Sequence, residues 1–138
     1  MPDLDALIRK LDSGDAEERR EAAVDLGRAG AEAVPPLLRA MADADWRVRK
    51  TAVEALVALS GERVISGLIQ ALSSHDNAGA RNSAIEALVQ IGGSVVDAIL
   101  PVMATPDPDV RKFVVDILGD IKDRRAVTAL IARLKDED

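Results

Sequence analysis

The chain of 138 residues has no cysteine and no tyrosine, and only one histidine, one tryptophan and one phenylalanine. Each shortage removes a class of chemistry. Without cysteine there are no disulfides, no thiolate metal ligands and no thiol nucleophile. The lone histidine, His75, sits beside Asp76. It cannot supply the several ligands that a transition-metal site normally needs, and one loop histidine is a poor start for a Ser-His-Asp arrangement. Its expected state is solvated. No catalytic residue, metal or cofactor is therefore expected. Basic residues are outnumbered, 18 Lys and Arg against 24 Asp and Glu, which gives a net charge of −6. Such a chain repels nucleic acid and anionic membranes at long range, so neither is the first-ranked partner. Long apolar runs are missing as well. No window approaches the length of continuous apolar sequence that a spanning helix requires, and no membrane span is expected. The start, "MPDLDALIRKLD", lacks the basic and apolar regions of a signal peptide. The expected setting is the cytoplasm.

What the chain does have is aliphatic and charged residues, 48% hydrophobic and 30% charged, a balance suited to helices. Four segments are alike: "DAEERREAAVDLG" from Asp15, "DWRVRKTAVEALV" from Asp45, "NAGARNSAIEALV" from Asn77 and "DPDVRKFVVDILG" from Asp107. Each has an arginine four residues after its first residue: Arg19, Arg49, Arg81 and Arg111. A second set of segments lies between them, with anchors at Leu7, Leu37, Leu68, Ile99 and Leu130. Both sets recur with a period near 31 residues. Two independent sets sharing one period mark a repeat array.

Both segment types read as helices. Val48, Ala52, Ala55, Leu56 and Leu59 form an apolar stripe on a 3.6-residue period. Asp15, Asp45, Asn77 and Asp107 are expected N-caps, with Glu18 completing a capping box on Asp15. Pro108 fits the first helical position. The other helices are expected to begin near Pro2, Ala33, Glu62, Val95 and Arg124, and Pro101 should kink its helix. "IGGSVV", from Ile91, reads as a turn between repeats and not as a phosphate loop. The expected core is continuous through Leu26, Leu37, Val48, Leu56, Leu68, Ile85, Leu88, Ile99, Leu118 and Leu130. The Asp–Arg spacing within each copy suits a local ion pair, and stacked copies could chain such pairs into a ladder.

The pattern Asp-x-x-Val-Arg-x-x-Ala-x-x-Ala-Leu, followed by a turn and then x-x-x-Leu-Ile-x-x-Leu, resembles the short HEAT-like repeats named after phycobilisome lyases. "DWRVRKTAVEALVALSGERVISGLIQAL" carries it best. The sequence departs from the pattern at Val57 and Val89, where Gly27 and Gly119 hold the usual glycine, at Asp25 in place of a core-facing alanine, and in the longer loop "SSHDNAGA". The resemblance implies an all-α fold, a right-handed α-α superhelix of four helix pairs plus an unpaired C-terminal helix. It implies one domain over residues 1–138, with repeats near 2–30, 31–61, 62–93 and 94–122 and a half-repeat at 123–138.

In such solenoids the second helix of each pair lines the concave face, and its exposed positions carry recognition. Here those positions include Arg20 and Arg28, then Trp46, Arg47, Lys50 and Glu54, then Glu86, then Asp109, Lys112, Phe113 and Asp116. Both aromatics of the chain fall in this set, as recognition anchors would. The alternative is that Trp46 folds over its own helix start and Phe113 fills space between repeats. Charge along the face runs from mixed to acidic, which would match a partner with basic groups toward the C-terminal end. The expected function is a monomeric, non-enzymatic scaffold that binds a protein or peptide. Two alternatives stay open: a DNA-backbone binder and a lyase-type enzyme subunit. The His-Glu pairs that hold iron in the deoxyhypusine hydroxylases are absent.

Overall fold

The computed structural model describes residues 3–121, 127–128 and 131–132. Eight α-helices are defined: α1 (Leu4–Lys10), α2 (Ala16–Leu26), α3 (Val34–Ala40), α4 (Trp46–Leu59), α5 (Glu62–Ala71), α6 (Ala78–Ile91), α7 (Val96–Ile99) and α8 (Pro108–Ile121). They pair as α1–α2, α3–α4 and α5–α6, α8 pairs with the segment Leu100–Ala104 that continues α7, and the pairs stack into a two-layer, all-α solenoid. Of the expected ninth helix only residues 127–128 and 131–132 are described, as helical, and Leu130 lies outside the described residues.

Each second helix starts where local chemistry dictates. Asp15, Asp45 and Asp107 accept the N–H of the residue two further on, at 3.0, 2.8 and 2.9 Å, and Asn77 accepts that of Ala80 at 2.8 Å. These bonds satisfy amides that the first helical turn leaves without partners. The capping box expected at Asp15 is replaced by a relay. Glu18 takes the Ser13 hydroxyl, and Ser13 Oγ accepts the Asp15 N–H at 3.1 Å. Pro101 acts as the sequence implies, with a sharper outcome than a kink. The α-helix ends at Ile99, and Leu100–Ala104 continues as a 3₁₀ helix, because proline cannot donate the bond that would extend the α-helix. A 3₁₀ turn, Ala31–Ala33, likewise precedes α3.

One core runs through all four pairs. Leu26, Leu37, Val48, Leu56, Leu68, Leu88, Ile99 and Leu118 are fully buried, while Ile85 packs at the margin, half-buried. Asp25, at a position filled by the buried Ala55 and Ala87 in later copies, is only half-buried and pairs with Arg28 at 3.8 Å. The segment 78–104 is long and apolar enough for a membrane span, a property the run-length criterion missed. It is not one straight helix. Gly92, at φ 83°, turns the chain between α6 and α7, a conformation glycine adopts without steric cost. Of its large apolar side chains, Leu88, Val95, Val96 and Ile99 are buried in the repeat core, and Ile85, Val89, Ile91, Leu100 and Val102 pack half-buried against it.

The repeat arginines do not form the local ion pairs expected from spacing. Three of the four guanidinium groups turn back to the loop before the helix. Arg19, Arg49 and Arg111 each donate to the carbonyl oxygen six residues earlier (Ser13, Asp43 and Thr105), all at 2.8 Å. Arg19 also donates from Nε to Asp43 Oδ2 at 2.9 Å, across to the next repeat. Asp43 in turn accepts the Asp45 N–H at 2.8 Å, so one carboxylate joins α2 to the start of α4. The Asp43 hydrogen bond raises the pKa of Arg19 above its ordinary value. Arg49→Ala frees two loop carbonyls, and is expected to lower the melting temperature by a few degrees. Arg81→Ala, which breaks no such bond, should do less. Thermal unfolding followed by circular dichroism checks the order. An equal or larger loss for Arg81→Ala would contradict it.

Candidate functional site

The second helices stack as α2–α4–α6–α8, and the first two of these contacts are the most extensive between any elements. The first helices touch one another less, and grooves open between them. The exposed side of the second-helix layer is therefore a continuous surface built from repeated positions.

On α4, Trp46 is 61% exposed, and Arg47, Lys50 and Glu54 are exposed with it. The counterparts of Trp46 are Ala16, Ala78 and Pro108, so the repeat itself needs no large side chain there. Arg28, just past the end of α2, is exposed, whereas Arg20 on α2 is half-buried. Glu86 on α6 and Asp109, Lys112 and Asp116 on α8 are exposed. Phe113 differs from Trp46. It is half-buried against the core, with the Arg81 guanidinium 5.1 Å from its ring centroid. The two aromatics thus do different work: one is free and one fills the seam between repeats.

The charges on this face fall into two groups. Toward the N-terminus they are neutralised within the chain: Arg20–Glu17 at 2.6 Å, Arg47–Asp45 at 2.9 Å and Lys10–Glu21 at 3.3 Å. Farther along, Glu54, Glu86, Asp109 and Asp116 have no ion-pair partner among the described residues, nor have Lys50 and Lys112, and Glu86 accepts only the Gln90 amide at 3.1 Å. The Arg47 side chain, together with its backbone N–H, pulls the Asp45 carboxyl down to about 2. The Glu17 carboxyl is also lowered, chiefly by its hydrogen bond with Arg20. His75 is not simply solvated: its Nε2 lies 2.9 Å from Asp107 Oδ2, tying the long loop to the cap of α8.

The Asp45 shift has a consequence for acid stability. Its folded pKa lies below the ordinary carboxylate value of 3.8. The ionised form therefore stabilises the fold above that value, and the contribution disappears as pH falls toward about 2. Asp45→Asn keeps a capping oxygen but not the charge. Wild type is expected to melt higher than Asp45→Asn at neutral pH, with the two converging near the folded pKa. Melting curves between neutral pH and pH 2 test this, and parallel curves would refute it.

Comparison with protein families matches a HEAT-repeat model to residues 4–89 and 65–138. The chain belongs to the HEAT-repeat family. Among solved structures, the HEAT array is similar to the complex of CpcE and CpcF of phycocyanin lyase from Nostoc sp. PCC7120, with 21% identity, a TM-score of 0.50, and coverage of 94% of this chain and 62% of that one. Two crystal structures of engineered proteins are 24% and 22% identical, each at a TM-score of 0.48, covering 96% of this chain and 68% and 69% of theirs. A search of curated proteins gave no match. The likeness to the lyase complex shows the fold.

The sequence reading missed two grooves of the HEAT array. One, of about 700 Å³, lies between α5 and α7 with Ile65, Ile69 and Ala98 in its wall. The other, of about 590 Å³, lies between α3 and α5 along Leu38 and Gly67. Both open on the first-helix side. No motif encodes them, since they arise from the spacing between the first helices. A smaller groove, of about 400 Å³, lies on the second-helix face between α4 and α6 beside Trp46.

Proposed function

We propose that this HEAT array is a non-enzymatic scaffold, working in the cytoplasm, that binds a protein or peptide along the face of its second helices. The observation that carries the reading is Trp46. Nearly every other large apolar residue among those described is buried or half-buried, yet the indole is 61% exposed on a helix face where the repeat needs no bulk. A large, rigid, amphipathic ring in such a position is typical of binding hot spots. The tighter stacking of the second helices supports placing the concave side of the array there. Charge supports a direction for the partner. In the N-terminal half of the face Arg20 and Arg47 are paired internally, and on α6 and α8 the unpaired carboxylates outnumber Lys112 and favour basic groups on the partner. The same carboxylates disfavour DNA on this face.

A photo-crosslinking amino acid placed at Lys50 or Lys112, and separately at Ser66 on the opposite layer, tests the reading in source lysate. Crosslinks to one protein from positions 50 and 112, with none from 66, are expected. Crosslinks from 66 alone would place the partner on the first-helix grooves and refute the proposal.

A further inference from the structure

The four second helices can be set in register on their arginines. Two residues after the arginine the copies read Glu21, Thr51, Ser83 and Phe113; two residues before it they read Glu17, Arg47, Gly79 and Asp109. This register explains why one seam between repeats is closed and its neighbour is open. Where α8 meets α6, Phe113 fills the seam with its ring under the Arg81 guanidinium, 5.1 Å from centroid to carbon. Arg81 Nε is buried and forms no hydrogen bond among the described residues. The ring face is the favourable surface this cation meets.

One seam earlier, where α6 meets α4, no ring fills the seam, and Trp46 stands at its edge on α4. Ser83 stands in the place of Phe113, and Gly79 removes a second side chain. A Cβ at Gly79 would sit 3.3 Å from Arg49 Cδ, so the glycine lets Arg49 lie flat against α6. What remains is the 400 Å³ groove, lined by Arg49, Ser83, Asn82 and Glu86 with Trp46 beside them. That volume lies within the range of roughly 300–1,000 Å³ usual for ligand pockets. Ser83 is the one buried polar residue among those described, at 7% exposure, and its hydroxyl has no hydrogen-bond partner among them. The groove thus offers a cation face, an indole and a hydroxyl that is free of protein partners among the described residues and open to solvent.

We propose that this groove takes a phenylalanine or tyrosine side chain from a partner peptide, seated over Arg49 beside Trp46 as Phe113 is seated over Arg81. The proposal rests on the reading that the second-helix face receives the partner. The chain supplies the template for its own ligand: the ring it carries in one seam is the ring it lacks in the next. A tyrosine would also meet Ser83 Oγ and the Asn82 amide. Residues flanking the ring toward α8 would meet Glu86 and then Asp116, neither of them ion-paired among the described residues, while Lys50 lines the α4 side, so a basic flank on the α8 side alone follows from charge.

The test uses the whole chain and a phage-displayed library of random peptides. Enriched peptides are expected to share one aromatic residue with Lys or Arg on one side. Affinities are read by fluorescence anisotropy of a labelled selected peptide. Ser83→Phe, which closes the groove as Phe113 closes its own seam, should weaken binding roughly thirtyfold or more, as should alanine at the peptide's aromatic. Asp116→Lys should weaken binding in a salt-dependent way and leave the aromatic requirement intact. Should Ser83→Phe fail to fold by circular dichroism, Trp46→Ala carries the same readout. Peptides that are weakened by Asp116→Lys but share no aromatic and ignore Ser83→Phe would overturn the groove and leave the face standing. Peptides indifferent to both substitutions, or no enrichment at all, would overturn the face and the groove together.

Discussion

Trp46→Ala is expected to remove the partner and leave the fold. Truncating an aromatic anchor of this kind commonly removes about 2 kcal/mol or more of binding energy, roughly a thirtyfold loss of affinity. The effect on stability should be small. The indole is 61% exposed, and alanine already serves at Ala16 and Ala78 in other copies. Surface substitutions of this type usually stay within about 0.5 kcal/mol of wild type. Calorimetric titration with the crosslinked partner and thermal unfolding of the free chain measure the two effects separately. A large drop in melting temperature with unchanged affinity would make Trp46 a packing residue.

Leu56→Ala should do the reverse. Leu56 is fully buried in α4, the helix that packs against α2, α3 and α6 at once. Loss of its side chain removes transfer free energy and leaves a cavity that neighbouring helices cannot close without breaking their own contacts. The expected cost is about 2–5 kcal/mol, which corresponds to a fall of roughly 6–20 °C in melting temperature for a chain of this size. A loss below about 1 kcal/mol would mean that the core is not continuous through α4.

The fold was legible because its causes are local or periodic. The cap at Asp45 depends on atoms two residues apart, and the core leucines Leu26, Leu56, Leu88 and Leu118 recur because every repeat must fill the same space. The arginines show where such reasoning fails. The spacing of Asp45 and Arg49 places them on one turn, but a long guanidinium side chain reaches whatever the tertiary structure brings near. For Arg49 that is the carbonyl of Asp43, and for Arg19 the Asp43 carboxylate, 24 residues away. The candidate face was legible only in outline. The sequence set Trp46 and Phe113 on equivalent surfaces, but whether a ring is free depends on the adjacent helix. Phe113 has Arg81 to cover it, and Trp46 has the gap left by Ser83 and Gly79. The grooves between the first helices follow from inter-helix spacing, for which the sequence has no local signature.

The central claim is that the partner covers the second-helix face at α4. Trp46 is the only tryptophan, so its emission reports on that spot alone. Acrylamide quenching of the free chain and of its complex with the crosslinked partner gives the most direct test. The account requires a red-emitting, readily quenched indole in the free chain that shifts to the blue and becomes shielded on binding. An indole already shielded in the free chain, or one still freely quenched in the saturated complex, would contradict it.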